Sequence, residues 1–217
     1  FTWKKRKRPG QSFLYVVDRI VICVALTGAL IRFGNFLNAE IIGLPTRSNF
    51  GVVFARDVID QLEYMPQIDE VTVTKTGETG PDDQGYVPIT LNIVFARSIQ
   101  DSNLAERILK ANVKPILSGY EYVTLHIHEP PSHPLQYEIK DAGRGTFRAE
   151  IATRGIARHP AQLYESISTF LLFILLLVIW SKLRDKTPEG LLFGIFLVIL
   201  FGLRFLYEFL KVNQVQF

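Results

Sequence analysis

Three long apolar segments constrain the fold of this 217-residue chain more than any other feature of its sequence. Residues 170–180 and 191–203 are uninterrupted apolar runs, and residues 20–31 are interrupted only by Thr27. A helix of about 20 residues crosses the roughly 30 Å of hydrocarbon in a bilayer, and each run reaches that length with its flanking residues. The pattern predicts three membrane spans and disfavours a soluble globular protein.

The first span reaches its length only when residues 13–19 are added, and this extension takes in Asp18 and Arg19. Charged side chains near the end of a span can snorkel to the membrane surface. We therefore expect this acid–base pair to lie at the interface.

The charge of the chain is unevenly distributed. The formal net charge is +3, yet residues 4–8 alone carry five positive charges. Such a cluster can bind nucleic acid, but beside a membrane span it more often marks the cytoplasmic side and contacts anionic lipid. We expect membrane lipids as partners and no nucleic acid. The apolar content of 48% and the lack of repeats exclude disordered, collagen-like and coiled-coil chains.

Basic residues also predict the orientation of the spans. Residues 4–8 precede the first span, and Lys182, Arg184 and Lys186 lie between the second and third. Short loops rich in Lys and Arg stay in the cytoplasm. The predicted organisation is a cytoplasmic basic segment at 1–12, a first span with a polar motif at 13–43, an extracytoplasmic segment at 44–160, a second span at 161–181, a cytoplasmic loop at 182–190, a third span at 191–211 and an extracytoplasmic end at 212–217.

The segment between the first and second spans has the patterning of a small α+β domain. Alternating apolar residues predict strands at 87–95, 71–73, 123–127 and 146–152. Helical spacing predicts helices at 53–65 and around 104–111, the second capped by Asp101, Ser102 or Asn103. The predicted fold class is therefore an α-helical polytopic membrane protein with three spans and an inserted small extracytoplasmic α+β domain.

Histidines in this segment suggest a metal site, but the pattern is weak. His126 and His128 alternate with apolar residues of a predicted strand, and Glu129 and His133 follow closely. A His-x-His pair does not define a ligand set. Because alternation places both rings opposite the apolar side, we predict a solvent-facing polar strand edge and no metal.

Three polar clusters lie near the ends of the spans, where a membrane protein ordinarily avoids polarity. A charged residue inside a span usually faces the protein interior or a wet cavity and marks function. Spacings of four and seven predict that the members of the third cluster share one helical face, where its arginine and glutamate can pair. The clusters are Arg32, Asn35, Asn38 and Glu40; Arg158, His159, Gln162, Tyr164 and Glu165; and Arg204, Glu208 and Lys211.

Under the predicted topology, Arg32, Arg158 and Arg204 all lie toward the outer face of the membrane. Arg32 also fits a simple anchor in the lipid headgroups, and the second cluster fits an interfacial anchor of Tyr and Arg. A guanidinium presents a rigid fork of donors suited to phosphate oxygens. We therefore predict an outer-leaflet cavity for a phospholipid headgroup, where the arginines can stabilise charge on a departing phosphate.

The three clusters resemble the signature blocks of the prolipoprotein diacylglyceryl transferase family. The first block is Arg32-x-Gly34-Asn35-Phe36-x-Asn38-x-Glu40-x-x-Gly43, and residues 158–165 and 201–209 match two further blocks in the same order. The family's His-Gly-Gly motif and its final span do not occur in this sequence, and Leu200 replaces a family tyrosine. The resemblance therefore implies an internal or C-terminal fragment of a seven-span protein.

The resemblance implies a multi-pass transferase of the bacterial cytoplasmic (inner) membrane whose active site faces the outer side. Such an enzyme transfers the diacylglyceryl group of phosphatidylglycerol to the lipobox cysteine in a prolipoprotein signal peptide, releases glycerol-1-phosphate and needs no cofactor. Arg32 and Arg204 are implied to be catalytic, by binding the phosphate and stabilising its developing charge. The implied substrate-binding residues are Arg32, Asn35, Asn38, Glu40, Gly43, Arg158, His159, Gln162, Tyr164, Glu165, Arg204 and Glu208.

Two other classes of protein fit parts of the pattern. A membrane sensor with an extracytoplasmic ligand-binding domain needs a cytoplasmic output module, and residues 181–190 are too short to form one. A transporter suits paired charges inside a span, but its binding site is typically built from broken helices near the bilayer midplane. Gly194 and Gly202 interrupt the third span only weakly, and its charges lie toward one end.

Overall fold

The structure is a computed structural model that describes residues 12–77, 80–143 and 145–211. The predicted basic segment, apart from its last residue, and the predicted end at 212–217 lie outside these residues. The chain divides into two compact units. One comprises the chain up to Gly43 together with the chain from Pro160 onward, and the other comprises Leu44–His159.

Along the chain, elements of the first unit come first, those of the second unit follow, and the chain then returns to the first unit. The helices are α1 (Phe13–Leu37), α2 (Arg56–Glu63), α3 (Ser102–Ile108), α4 (Lys114–Gly119), α5 (Glu121–Thr124), α6 (Ala161–Leu183) and α7 (Leu191–Glu208), with a π-helical turn at Leu109–Val113 and a 3₁₀ turn at Arg184–Lys186. The strands are β1 (Ile68–Lys75), β2 (Tyr86–Phe95), β3 (Ile127–His128), β4 (Gln136–Gly143) and β5 (Thr146–Ile156).

The first unit is a bundle of the three long helices α1, α6 and α7. Each is long and apolar enough to cross a membrane, as the sequence predicts. Small residues let α1 approach α6 closely, and Ser166 Oγ on α6 donates to the carbonyl oxygen of Ala29 on α1 at 2.9 Å. The bundle buries Val21, Ile22, Ala25, Leu172, Leu176, Leu192 and Phe196, while apolar side chains such as Val198 and Phe201 stay exposed on its outside.

Asp18 joins the beginning of α1 to the beginning of α7. Its side chain is 1% exposed and accepts hydrogen bonds from the backbone N–H groups of Gly190 at 2.7 Å and Phe193 at 2.8 Å. A carboxylate at this place satisfies free amides of the helix N-terminus and complements its partial positive charge. The Asp18 side chain does not extend out of the bundle to snorkel, because α7 supplies donors for it inside; that the pair of Asp18 and Arg19 lies at the membrane interface stays a prediction.

The second unit is an antiparallel sheet covered on one face by short helices. The strand order is β1-β2-β5, and both β3 and β4 pair with the remaining edge of β5. The predicted alternation in β2 is confirmed, since its odd-numbered residues from Val87 to Phe95 are buried. The predicted cap of α3 is confirmed as Asp101, whose side chain accepts from the backbone of Asn103 at 3.0 Å.

The predicted strand at 123–127 is wrong for most of its length. Glu121–Thr124 forms α5, and only Ile127 and His128 join the sheet as β3. The backbone N–H groups of Val123 and Thr124 both bond to the carbonyl oxygen of Tyr120. A helical turn thus brings Val123 into the core, and a short apolar run fits a turn of helix as well as a strand. Strand β4 was not predicted.

Replacing Asp18 by alanine is expected to destabilise the helix bundle by about 1.5–3 kcal/mol, the usual contribution of hydrogen bonds to a charged group. Asp18→Asn keeps one acceptor oxygen and should lose less. The measurement is the midpoint of SDS-induced unfolding in mixed micelles, followed by circular dichroism. The exposed Asp69 on β1 provides the control Asp69→Ala. Equal midpoints for Asp18→Ala and Asp69→Ala would show that the cap does not stabilise the bundle.

Candidate functional site

The first polar cluster forms a hydrogen-bonded loop at the end of α1. With its amide nitrogen toward Glu40, Asn35 donates to Glu40 Oε2 at 3.3 Å and to the carbonyl oxygen of Ile31 at 3.1 Å. Asn38 Nδ2 donates to Glu40 Oε1 at 3.4 Å. The backbone N–H of Glu40 also bonds to the carbonyl oxygen of Asn35 at 2.9 Å. Two amides therefore hold the Glu40 carboxylate above the last turn of the helix.

The backbone of this loop is strained. Ala39 and Ile41 both have a φ of 57°, a conformation that is rare outside glycine and particularly unfavourable for a β-branched residue. Such conformations persist only where the surroundings fix them, and they are concentrated at functional sites. Here Gln162 Nε2 on α6 donates to the carbonyl oxygen of Glu40, and Gly43 forms a β-bridge with Lys211.

Glu165 on α6 lies between two cations that come from distant parts of the chain. Its Oε2 lies 2.8 Å from Arg32 Nε on α1, and its Oε1 lies 2.5 Å from Lys211 Nζ beyond α7. The exposed fractions of the three side chains are 9% for Glu165, 24% for Arg32 and 11% for Lys211. The carboxylate is thus nearly enclosed, while part of the Arg32 side chain remains open to a ligand.

The third cluster differs from its prediction. Because α7 ends at Glu208, Lys211 leaves the helical face of Arg204 and Glu208 and turns toward Glu165. The predicted pairing of Arg204 with Glu208 is not formed, because both side chains are exposed and their charged groups lie more than 4.0 Å apart. The hydroxyl of Tyr207, one turn after Arg204, donates to the carbonyl oxygen of Tyr164 at 3.4 Å.

These contacts define one end of the helix bundle. Asp18 joins the beginnings of α1 and α7, so the two helices run in the same direction and α6 runs antiparallel to them. Glu165 joins the other ends, where Arg32 and Lys211 meet the beginning of α6. Arg32 and Arg204 therefore lie toward the same end of the bundle. Their predicted joint contact with one ligand stays a prediction.

The second cluster is divided between the two units. Gln162, Tyr164 and Glu165 belong to α6, whereas Arg158 and His159 belong to the α+β unit. Arg158 is 4% exposed, and its Nε and Nη2 donate to the carbonyl oxygen of Leu125 at 2.9 and 2.6 Å. The backbone N–H of His159 bonds to the carbonyl oxygen of Leu44 at 3.0 Å. The predicted roles of Arg158 and His159 in substrate binding stay predictions.

The histidines of the α+β unit do not form the predicted solvent-facing edge. His126 is 2% exposed, and its Nε2 lies 3.1 Å from Asp57 Oδ2 on α2. His128 is half-buried and stacks on Tyr86 with ring centroids 4.5 Å apart. The prediction is wrong because α5 replaces the expected strand, so that alternation no longer decides which side chains are exposed.

Glu129 and His133 lie with His128 around a cavity of about 380 Å³. The Glu129 carboxylate already binds Lys114 Nζ at 2.9 Å and the hydroxyl of Thr153 at 2.7 Å. In the part of the chain that the structure describes, no group of three or more His, Cys, Asp and Glu side chains is arranged to hold a metal ion.

Comparison with known proteins identifies the family of the chain. A model described as "Prolipoprotein diacylglyceryl transferase" matches residues 1–217, which is the whole sequence. The chain belongs to the prolipoprotein diacylglyceryl transferase family. No solved structure matches it.

Curated relatives of the family carry the name phosphatidylglycerol–prolipoprotein diacylglyceryl transferase. The relative from Tolumonas auensis is 26% identical over 212 residues, which are 98% of this chain and 45% of the relative. The relative from Chloroherpeton thalassium is 25% identical over 212 residues, 98% of this chain and 43% of the relative. One from Bacteroides fragilis is 47% identical over 60 residues, 28% of this chain and 22% of the relative. The chain thus spans less than half the length of these relatives.

The resemblance to the family pointed to Arg32 and Glu165 as site residues, whereas Lys211 was placed in the third cluster without a role in catalysis or substrate binding. A buried carboxylate needs a cationic or hydrogen-bonding partner, so Glu165, the one acidic residue in the sequence of α6, was a signal that such a partner exists. Which cation it is could not be read from the sequence, because Lys211 lies 46 positions away and beyond the end of α7.

A pH-dependent stability is expected for the α+β unit. Burial lowers the pKa of His126, although the nearby carboxylate of Asp57 opposes the shift. In the unfolded chain the pKa is about 6.5, so the unfolded state binds more protons as the pH falls. The stability contributed by neutral His126 is therefore present above about pH 6.5 and is lost as the pH falls toward the folded pKa.

Pulse proteolysis in urea at pH 7.5 and 5.5, with cleavage sites mapped to residues 44–159, measures this effect. His126→Phe should weaken the pH dependence, whereas His133→Phe, at an exposed histidine, should retain it. The same pH dependence in both variants would contradict the assignment to His126.

Proposed function

We propose that the protein containing this chain transfers the diacylglyceryl group of phosphatidylglycerol to the lipobox cysteine of bacterial prolipoproteins. Membership of the family over the whole chain supports the reaction class. The contact between Arg32 Nε and Glu165 Oε2, at 2.8 Å, is the observation that assigns the proposed reaction to particular atoms of this chain. A carboxylate on the Nε side leaves the two terminal nitrogens of the guanidinium to face a phosphate.

The proposed reaction is a displacement at carbon. The lipobox cysteine releases its thiol proton to water, and its sulfur forms a bond to C3 of the diacylglycerol moiety. The bond between that carbon and the phosphate oxygen breaks, and the electron pair leaves with glycerol-1-phosphate. The phosphodiester begins with one negative charge and the leaving phosphomonoester gains a second. Because the charge grows during the reaction, cations at the phosphate stabilise the transition state more than the bound substrate.

We assign the stabilisation of this developing charge to Arg32 and Arg204. Arg32 is fixed by Glu165, and Arg204 projects from α7 without an acidic partner among the described residues. An arginine exposed on an apolar helix is costly in hydrocarbon, so it needs an anionic or protein partner there. The phosphate of the lipid meets that need. Asn35, Asn38, Glu40, Gln162 and Tyr164 would then shape the loop around the headgroup.

We infer the orientation from the distribution of positive charge. Lys182 lies in the last turn of α6, and Arg184 and Lys186 lie in the short connection between α6 and α7, at the end of the bundle opposite Arg32. Short basic loops stay in the cytoplasm. The inferred arrangement has the Arg32 end at the outer face of the cytoplasmic membrane and the α+β segment 44–160 on the extracytoplasmic side. The continuous helix α7 does not favour a transporter, whose site would need broken spans.

Arg32→Ala and Arg204→Ala are each expected to reduce transfer by about 100-fold or more, the usual effect of removing one donor to a developing anion. The assay uses the complete membrane protein, phosphatidylglycerol and a lipobox peptide, and mass spectrometry detects the diacylglyceryl adduct on the peptide. Arg97→Ala, at an exposed arginine of the α+β unit, is the matched control. Near wild-type turnover in both the Arg32 and Arg204 variants would defeat the proposal.

A further inference from the structure

Lys211 is a charged residue at the Arg32 end of the bundle that the proposed mechanism does not use. We propose that Lys211 is a positioning residue, which acts through Glu165 to keep Arg32 oriented toward the lipid phosphate and to keep the group of three side chains net positive. This inference rests on the proposed function. Lys211 itself does not touch the phosphate.

The first support is the way in which the two cations share one carboxylate. Glu165 uses Oε2 for Arg32 and Oε1 for Lys211, so each oxygen has its own cation. The Lys211 contact is an ion pair at 2.5 Å, and Oε1 receives no well-directed hydrogen bond. Lys211 therefore acts on Glu165 mainly through its charge.

The second support is the charge of the group. Alone with Arg32, Glu165 would cancel the positive charge that a phosphate requires. With Lys211 included, the three side chains keep one net positive charge. All three side chains are at most 24% exposed, so solvent screens their interactions less than at an open surface. Lys211 thus lets a carboxylate orient Arg32 without neutralising the site.

The third support is the position of Lys211 in the backbone. Its main chain forms an antiparallel bridge with Gly43, the last residue of the strained loop. Its N–H also bonds to the carbonyl oxygen of Glu208 at 3.3 Å, close to the end of α7. The main chain of Lys211 is therefore held from two sides, by the loop after α1 and by the end of the helix that carries Arg204. A surface lysine free to move would not be placed this way.

The test measures kcat and KM for phosphatidylglycerol in the complete membrane protein. Lys211→Met should raise KM about tenfold, as expected when one charge is lost near a partly buried anion site, and leave kcat within about threefold. Lys211→Arg should restore KM because it keeps the charge. Lys186→Met, at an exposed lysine between α6 and α7, is the matched control and should leave both constants unchanged.

The double variant Lys211→Met with Glu165→Gln separates charge from packing. It again leaves one net positive charge, on Arg32, so its KM should lie below that of Lys211→Met alone. If the two single variants act by damaging the packing, their effects on KM should instead add in the double variant. An additive loss, an unchanged KM in Lys211→Met, or a failure of Lys211→Arg to restore KM would overturn the proposal.

A binding measurement distinguishes this proposal from the proposed reaction. Native mass spectrometry of the purified protein compares bound phosphatidylglycerol, which is anionic, with phosphatidylcholine, which has no net charge. Lys211→Met should reduce only the retention of phosphatidylglycerol. If the wild-type protein performs no transfer, the proposed reaction is refuted. A selective loss of phosphatidylglycerol in Lys211→Met would still support the role of Lys211. Equal retention of both lipids by wild type and variant would refute the role of Lys211.

Discussion

The carboxylate of Glu165 is the interaction on which the functional end of the helix bundle depends. It lies 2.8 Å from Arg32 Nε and 2.5 Å from Lys211 Nζ, and so joins α1, α6 and the segment after α7 through one side chain. In an apolar environment an unpaired carboxylate would be costly, and removing one partner of such a group destabilises strongly. The positions of the three helix ends are therefore coupled to one another.

An acidic side chain lies at each end of the bundle, and the two side chains have different roles. At one end, Asp18 is fully enclosed and bonded to backbone amides of α7, which is a purely structural arrangement. At the other end, Glu165 holds an arginine whose side chain remains 24% exposed beside a strained loop. Strain, partial exposure and a net positive charge at one place are the features expected of an anion site. The function that we propose for the protein gives that anion a chemical identity, the phosphate of a phospholipid.

The sequence predicted those parts of the fold that depend on local pattern. Apolar length identified α1, α6 and α7, and alternation identified β2. Prediction from the sequence failed where the burial of a side chain depends on a partner far along the chain. Asp18 is buried because Gly190 and Phe193 supply donors, and His126 is buried because Asp57 reaches its ring. For the site, family motifs located Arg32 and Glu165, but only the fold shows that Lys211 completes the group.

The most direct measurement of the central claim is a magnetic dipolar coupling between the Arg32 guanidinium and the lipid phosphate. Solid-state NMR can detect it with ¹⁵N-arginine protein in bilayers of phosphatidylglycerol, using the ³¹P nucleus of the headgroup. The account predicts a guanidinium ¹⁵N signal that is dephased by ³¹P and disappears in Arg32→Lys. Bound phosphatidylglycerol with the same dephasing in wild type and Arg32→Lys would contradict it.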